Sequence, residues 1–149
     1  MKRINIMVFI LFLSLFSSHI FAVDWKYITT NKTFKDDYYV DLDSIKKIDG
    51  MIFFWDLRDG PAPVVDKYYS SKSYMKVDCD YLRNKPITQF LYIERMGLGK
   101  FTELKSTKNE WEYNPPGSVY DIILKFAKKE FTNYDFISYF DDKIARMSS

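Results

Sequence analysis

The sequence has almost no histidine and almost no cysteine. Its 149 residues contain one of each, His19 and Cys79. His19 lies in an N-terminal segment that we expect to be removed. The remaining chain then has no imidazole, which excludes Ser-His-Asp and Cys-His catalysis, histidine-based metal sites and histidine pH switches. One cysteine also excludes an intramolecular disulfide, a common feature of small exported domains.

The first 22 residues have the pattern of an export signal. Lys2 and Arg3 form a basic start, residues 6–13 are an unbroken apolar run, and Ala22 offers a small residue at a cleavage point. The alternative is a retained membrane anchor, but polar residues interrupt the roughly 20 apolar residues that a spanning helix needs. We therefore expect an exported protein, in the periplasm or on the outer cell surface, with no membrane span after cleavage.

The charge balance argues against a nucleic-acid partner. The predicted signal holds two of the 22 basic residues and none of the 20 acidic ones, so the mature chain has 20 of each. A nucleic-acid-binding domain is expected to carry a clear basic excess. The mature length suits one domain with one hydrophobic core.

Short extended segments precede a helix in the mature chain. Those rich in aromatic and β-branched residues or alternating in polarity are 24–30, 37–41, 51–57, 68–80, 87–94 and 100–104. Their short connections favour an antiparallel sheet, and the uniformly apolar 51–57 is predicted to be central. The predicted fold class is α+β: about six antiparallel strands, a C-terminal helix packed on one face, and an additional helical tail. Residues 1–22 are assigned to the signal, 23–130 to the domain and 131–149 to an aromatic-rich helical extension.

One stretch separates the strands from the helix, and we assign its residues a structural role: Trp111, Pro115, Pro116, Gly117 and Ser118. The two prolines cannot donate backbone hydrogen bonds and disfavour helix before them. Ser118 is a predicted N-cap, with Asp121 placed to accept the backbone N–H of Ser118 and to pair with Lys125.

Two acidic patterns are candidate sites. Asp41 begins a segment that faintly resembles a calcium loop, but the required glycine and glutamate positions hold Lys46 and Ile52, so we expect a capped turn and no metal. Asp78 and Asp80 share a strand face, as the paired carboxylates of a glycosidase do. Ordinary solvation is the favoured explanation.

Cys79 has three interpretations: a reactive thiol, an intermolecular bridge or a small buried residue. The alternation of its strand points it inward together with Met75 and Val77. The neighbouring Asp78 and Asp80 disfavour a thiolate. We therefore assign Cys79 a structural, buried role.

Aromatic and basic residues alternate between positions 67 and 76. The candidate ligand-binding residues are Lys67, Tyr68, Tyr69, Lys72, Tyr74 and Lys76. One interpretation is a surface for a protein or an acidic polysaccharide. The other, which we favour, is an edge strand protected by lysines against aggregation. The three tryptophans, Trp25, Trp55 and Trp111, are expected in the core, because tryptophans in a thin sheet are more often core residues than binding residues.

Five motifs, in order and spacing, resemble the surface-adhesin protein E family of Gram-negative bacteria. They are Asp24-Trp25, the run from Tyr38 to Ile45, Val77-Asp78-Cys79, Met96-Gly97-Leu98-Gly99, and the run from Trp111 to Ser118 followed by the helix. The resemblance implies an exported domain with a six-stranded antiparallel sheet and a helix across one face. It also implies homodimerisation.

The resemblance further implies a disulfide between the strand cysteine and a cysteine near the end of the helix. Cys79 matches the first, but Lys128 stands where the second is expected. Such a bridge would contribute roughly 4 kcal/mol on the chain-entropy model. We hypothesise that residues 131–149 replace it by burying aromatic surface.

The function predicted is that of an exported, non-catalytic binding module. The resemblance implies adhesion to host extracellular-matrix or plasma proteins such as vitronectin and laminin. The alternative is a periplasmic envelope structural or assembly component with no host ligand. An enzyme is the weakest hypothesis, since only carboxylate, lysine, tyrosine and serine chemistry remains, and no cofactor is predicted.

Overall fold

The computed structural model describes residues 23–104 and 110–132. The predicted export signal and the part of the predicted extension beyond residue 132 lie outside the described residues. Within the described part, no helix is both long and apolar enough to span a membrane.

The described chain forms one antiparallel sheet and one helix. The strands are β1 (Trp25–Thr30), β2 (Asp37–Asp41), β3 (Lys46–Ile48), β4 (Met51–Asp59), β5 (Ser70–Asp78), β6 (Arg83–Tyr92), β7 (Phe101–Leu104) and β8 (Glu112–Tyr113). The helix, α1, covers residues 119–132. The strand order is β1-β2-β4-β5-β6-β7, with β3 paired to β4 and β8 paired to β6. The predicted α+β class is confirmed, with two short strands added to the six expected.

Strand β5 lies in the middle of the sheet. It pairs with β4 along one side and with β6 along the other, over almost its whole length. The interpretation of this segment as an edge strand is therefore wrong. Lys72 and Lys76 do not guard an edge, because their side chains project from a face of the sheet between two neighbouring strands.

Strand β4 is central, as predicted, but it is not uniformly buried. Ile52 and Phe54 are buried, whereas Phe53 and Trp55 are half-buried. Successive side chains of a strand point to opposite faces, so the apolar run supplies both faces of the sheet. Only one of these faces is covered by α1.

The core lies between α1 and the face of the sheet that it covers. It is formed by Tyr38, Val40, Ile52, Phe54, Met75, Val77, Ile123, Leu124 and Ala127. Strands β2, β4 and β5 supply alternate residues and the helix supplies a stripe, as expected where a helix packs on one face of a sheet. Phe131, one of the last described residues of α1, packs against this cluster.

The start of α1 is capped by side chains. Ser118 Oγ accepts the backbone N–H of Asp121 at 3.2 Å, as expected for an N-cap. Asp121 Oδ2 accepts the N–H of Gly117 at 2.8 Å, one residue before the predicted donor, because Ser118 N–H is taken by the carbonyl of Pro115. Asp121 also forms the predicted ion pair with Lys125, at 2.8 Å. The two caps fix where the chain turns from sheet to helix.

A short turn at Arg95–Gly97 covers one end of the other face. It is held by Asp59, which has no exposed surface and accepts hydrogen bonds from Arg95 Nη2 at 2.6 Å and Nε at 2.9 Å. Ser70 Oγ accepts the N–H of Gly97 at 2.9 Å. The rest of this face, which we call the open face, is not covered by α1.

Candidate binding surface

The open face carries most of the exposed and half-buried aromatic side chains of the sheet. Its rings are Trp25, Tyr27, Tyr39, Phe53, Trp55, Tyr74, Phe90, Tyr92, Phe101, Trp111 and Tyr113. Neighbouring rings are in contact: Trp55 lies 5.2 Å from Tyr74 and 6.1 Å from Phe90, measured between centroids. Phe90 and Phe101 are 5.5 Å apart. The rings thus form a continuous aromatic surface across β4, β5, β6 and β7.

This arrangement corrects the expectation for the three tryptophans. Trp25, Trp55 and Trp111 lie outside the core cluster, and each is half-buried on or beside the open face. Alternation along β4 places Trp55 opposite the buried Phe54, but alternation alone does not say which face a helix covers. For this reason, the sequence does not reveal that Phe53, Trp55 and Phe90 lie on the uncovered face.

Three of the predicted ligand-binding residues meet on β5. Lys72, Tyr74 and Lys76 alternate with buried residues and so project together from the open face. The ammonium of Lys76 lies 5.8 Å from the centroids of both Phe53 and Trp111. These distances fall within the range of cation–π attraction.

Lys72 is also a structural residue. Its ammonium lies 5.6 Å from the ring of Trp25 and 4.9 Å from that of Tyr92, and it donates a hydrogen bond to the carbonyl of Gly97 at 3.1 Å. Burial lowers the pKa of Lys72. Its contacts tie β1, β6 and the Arg95–Gly97 turn together at one end of the open face.

The other three predicted residues lie before β5. Lys67 lies over the ring of Tyr68 at 5.6 Å, and both line a cleft of about 420 Å³ beside β7. The Tyr68 hydroxyl is 2.9 Å from Thr102 Oγ1. Tyr69 donates its backbone N–H to Tyr92. The predicted set is therefore divided between the open face and this cleft.

Trp111 joins the open face to a basic cluster. The Arg83 guanidinium lies 4.6 Å from its centroid and the Lys85 ammonium 5.4 Å. Arg83 also pairs with Asp78 at 2.8 Å. Burial alone would raise the pKa of Asp78, but hydrogen bonds from Arg83 and two backbone N–H groups lower it below its usual value.

The bonding of Asp78 accounts for the pair that resembled a glycosidase site. Its Oδ1 accepts the backbone N–H of Asp80 at 3.2 Å and its Oδ2 pairs with Arg83. A carboxylate so engaged closes a turn. Asp80 is exposed and lies in the turn after β5, so the prediction that the two carboxylates share a strand face is wrong. In residues 23–104 and 110–132, no three metal-ligating side chains come together.

Most of the residues assigned a structural role lie around the start of α1. Pro115, Gly117 and Ser118 line a cleft of about 630 Å³ with the end of β1, and Pro116 lies in the same turn. This cleft is the larger of the two, but Lys32 is the one cationic side chain in its lining. The open face combines more rings with more charges, and we take it as the candidate surface.

Cys79 is half-buried and packs against the core cluster as a free thiol. Burial raises its pKa, and Asp80 and Asp78 add to the effect while Lys128 opposes it. The predicted direction is confirmed, with burial as the main cause.

Comparisons with known proteins agree with this fold. The family model described as surface-adhesin protein E matches residues 25–127. Crystal form II of Haemophilus influenzae protein E is 19% identical, with a TM-score of 0.51, over 71% of this chain and 89% of that one. The selenomethionine form of that protein is 18% identical, with a TM-score of 0.53, over 70% and 87%. No curated protein sequence matches. The chain belongs to the surface-adhesin protein E family.

Proposed function

We propose that the chain is an exported, non-catalytic adhesion module whose open face binds a host extracellular-matrix or plasma protein. The observation that carries the proposal is the continuous aromatic surface on the face that α1 leaves uncovered. Contiguous apolar surface that is open to solvent is typical of interaction sites, and aromatic anchors supply much of the affinity at protein interfaces. Membership in the adhesin family supports the same function.

Binding to immobilised vitronectin and laminin tests the proposal. Phe101 is 60% exposed on the open face, and Phe34, 65% exposed, precedes β2 outside it. F101A should weaken binding about tenfold or more, whereas F34A removes a ring of equal size and exposure and should leave it unchanged. Equal effects of the two substitutions, or no binding by the wild-type protein, would contradict the proposal.

Protease accessibility on intact cells tests the location. We propose that the mature protein reaches the outer surface, so a tagged protein should be digested without disruption of the cells. An osmotic-shock control opens the periplasm. Digestion only after shock would place the protein in the periplasm. That result would contradict host adhesion and favour the alternative function, an envelope structural or assembly component.

We also propose a homodimer. The outer strands of the sheet are β1 and β7, and all four residues of β7 are exposed. An unpaired strand edge is a template for pairing with a second chain. Light scattering on the purified mature protein should give twice the monomer mass, and the monomer mass across the micromolar range would refute the dimer.

A further inference from the structure

Three lysines form a row across the open face, at the end away from the Arg95–Gly97 turn. Lys46 of β3 pairs with Phe53 of β4, Phe53 pairs with Lys76 of β5, and Lys76 pairs with Lys85 of β6. We call Lys46, Lys76 and Lys85 the lysine row. Since neighbouring strands are about 4.8 Å apart, the row spans about 14 Å, perpendicular to the strands.

The lysine row places like charges close together on one face of the sheet. Lys76 and Lys85 are directly opposite each other in the register, and like charges at such positions repel. In the part of the chain that the structure describes, Lys46 and Lys76 form no ion pair. The protein supplies rings: Lys46 lies 5.7 Å from Tyr74, and Lys76 lies 5.8 Å from Phe53 and from Trp111.

The mature chain has equal numbers of basic and acidic residues, so an overall basic excess does not account for the lysine row. The row results from where these lysines lie in the sheet. A linear arrangement of cations is complementary to a ligand whose anionic groups also repeat along a line. The rings beside the cations add flat apolar surfaces, against which the faces of sugar rings pack. A compact protein partner needs no such alignment, whereas an extended anionic chain does.

We propose that the lysine row binds a sulfated polysaccharide chain of the glycosaminoglycan class. The chain lies across β3 to β6, with sulfate groups at the ammonium groups of Lys46 and Lys76 and sugar rings against Phe53, Tyr74 and Trp111. Sulfate stays ionised at every physiological pH and offers three acceptor oxygens to each ammonium. This site is separate from the proposed protein-binding function, because it depends on the lysines at one end of the face and not on Phe101 at the other.

Heparin is the probe, measured by calorimetry with the full mature protein. The variant K46Q/K76Q removes two charges from the row, and K26Q/K129Q removes two from exposed positions on β1 and α1. We expect K46Q/K76Q to weaken heparin binding about 25-fold, since each of the two lysines removed contributes about a fivefold factor in affinity near an anionic array. K26Q/K129Q should bind as the wild-type protein does. Melting temperatures establish that both variants fold.

Equal weakening in the two variants would overturn the proposal, because the attraction would then depend on charge without a site. Undetectable binding of heparin by the wild-type protein at low salt would also overturn it. Desulfated heparin should bind much more weakly, and equal binding would assign the site to carboxylates and refute the sulfate. F101A should bind heparin as the wild-type protein does but bind the matrix protein more weakly. A failure of one proposal would therefore not imply a failure of the other.

Discussion

Tyr120 of α1 donates a hydrogen bond of 3.0 Å to Asp56 of β4, across the interface between helix and sheet. Asp56 is 1% exposed, and no described cation forms an ion pair with it. Burial raises its pKa from 3.8 to about 7, although hydrogen bonds from Tyr120 and Ser73 act in the opposite direction. This carboxyl is therefore largely protonated in the folded protein at mildly acidic pH.

We predict that the raised pKa of Asp56 makes the folded protein less stable as the pH rises. Because its folded pKa is above its unfolded value, the folded state binds the extra proton, and its contribution is complete below pH 4 and lost by about pH 7. The loss is on the order of 4 kcal/mol. Urea unfolding of wild type and D56N from pH 4 to 8 measures it, since Asn cannot ionise. D56N should gain on the wild type as pH rises, and parallel profiles would contradict the assignment.

We predict that removing Arg95 alone from its ion pair with Asp59 destabilises the protein more than removing both charges. R95A leaves a fully buried carboxylate without its cation and should cost about 3 kcal/mol, measured by urea unfolding. D59N in the same chain removes that charge. R95A/D59N should therefore be more stable than R95A alone. If the second substitution destabilises further, the buried charge is not the source of the cost.

We predict that a side chain at position 97 destabilises the folded protein, because it would overlap the side chain of Lys72. A methyl group at Gly97 would overlap the end of Lys72, and the backbone there has φ of +68°. Gly50 has φ of +78° with nothing within 4 Å, so G50A carries the backbone cost of about 1 kcal/mol without the overlap. Thermal unfolding should show a larger loss for G97A than for G50A. Equal losses would mean that Lys72 moves aside freely.

The family resemblance places Lys128 at the position of the second cysteine, so we predict that K128C forms a disulfide with Cys79. The bridge would close a loop of about 50 residues and stabilise the protein by roughly 4 kcal/mol on the chain-entropy model. Thiol titration should find no free thiol after oxidation, and the melting temperature should fall when a reductant is added. Two persistent thiols in the folded oxidised variant would show that the two positions do not match the family's bridge.

Removal of residues 131–149 should lower the melting temperature sharply. Phe131 packs against the core, and the ammonium of Lys47 lies 5.1 Å from its ring. Each fully buried apolar side chain contributes about 1.5 to 3 kcal/mol. The same truncation in oxidised K128C should be better tolerated, because the bridge then supplies the lost stability. An unchanged melting temperature in the truncated wild type would refute the replacement of the disulfide by the extension.

The sequence predicted which segments form strands, because residue type and alternation act locally. It did not predict the place of β5 in the sheet, since lysines on a free edge and lysines on an uncovered face of a central strand have the same spacing. Tyr74 and Lys76 show this directly: their neighbours come from β3, β4 and the segment at Trp111, which are distant in sequence. Strand β8 has only two residues and no period to detect.

The predicted capping of α1 was correct in its residues and wrong in one donor. The spacing of Asp121 from Ser118 predicts its capping role, and its carboxylate does accept a backbone N–H at the start of the helix. The donor is Gly117 because a turn bond to Pro115 occupies the N–H of Ser118. Competition between two acceptors for one N–H depends on the path of the turn, which a spacing rule does not contain.

Because α1 covers a single face of the sheet, adjacent residues of one strand answer to different requirements. In β4, the side chain of Phe54 must pack in the core, whereas the side chain of Trp55 lies on the open face, where the proposed binding partner would contact it. A saturation mutagenesis library selected for folding alone should tolerate change at the alternate positions of β4 and β5 that are not fully buried, such as Phe53, Trp55, Tyr74 and Lys76. Selection for attachment should then remove tolerance at the alternate positions, so that two screens on one short strand separate the demands of folding from those of recognition.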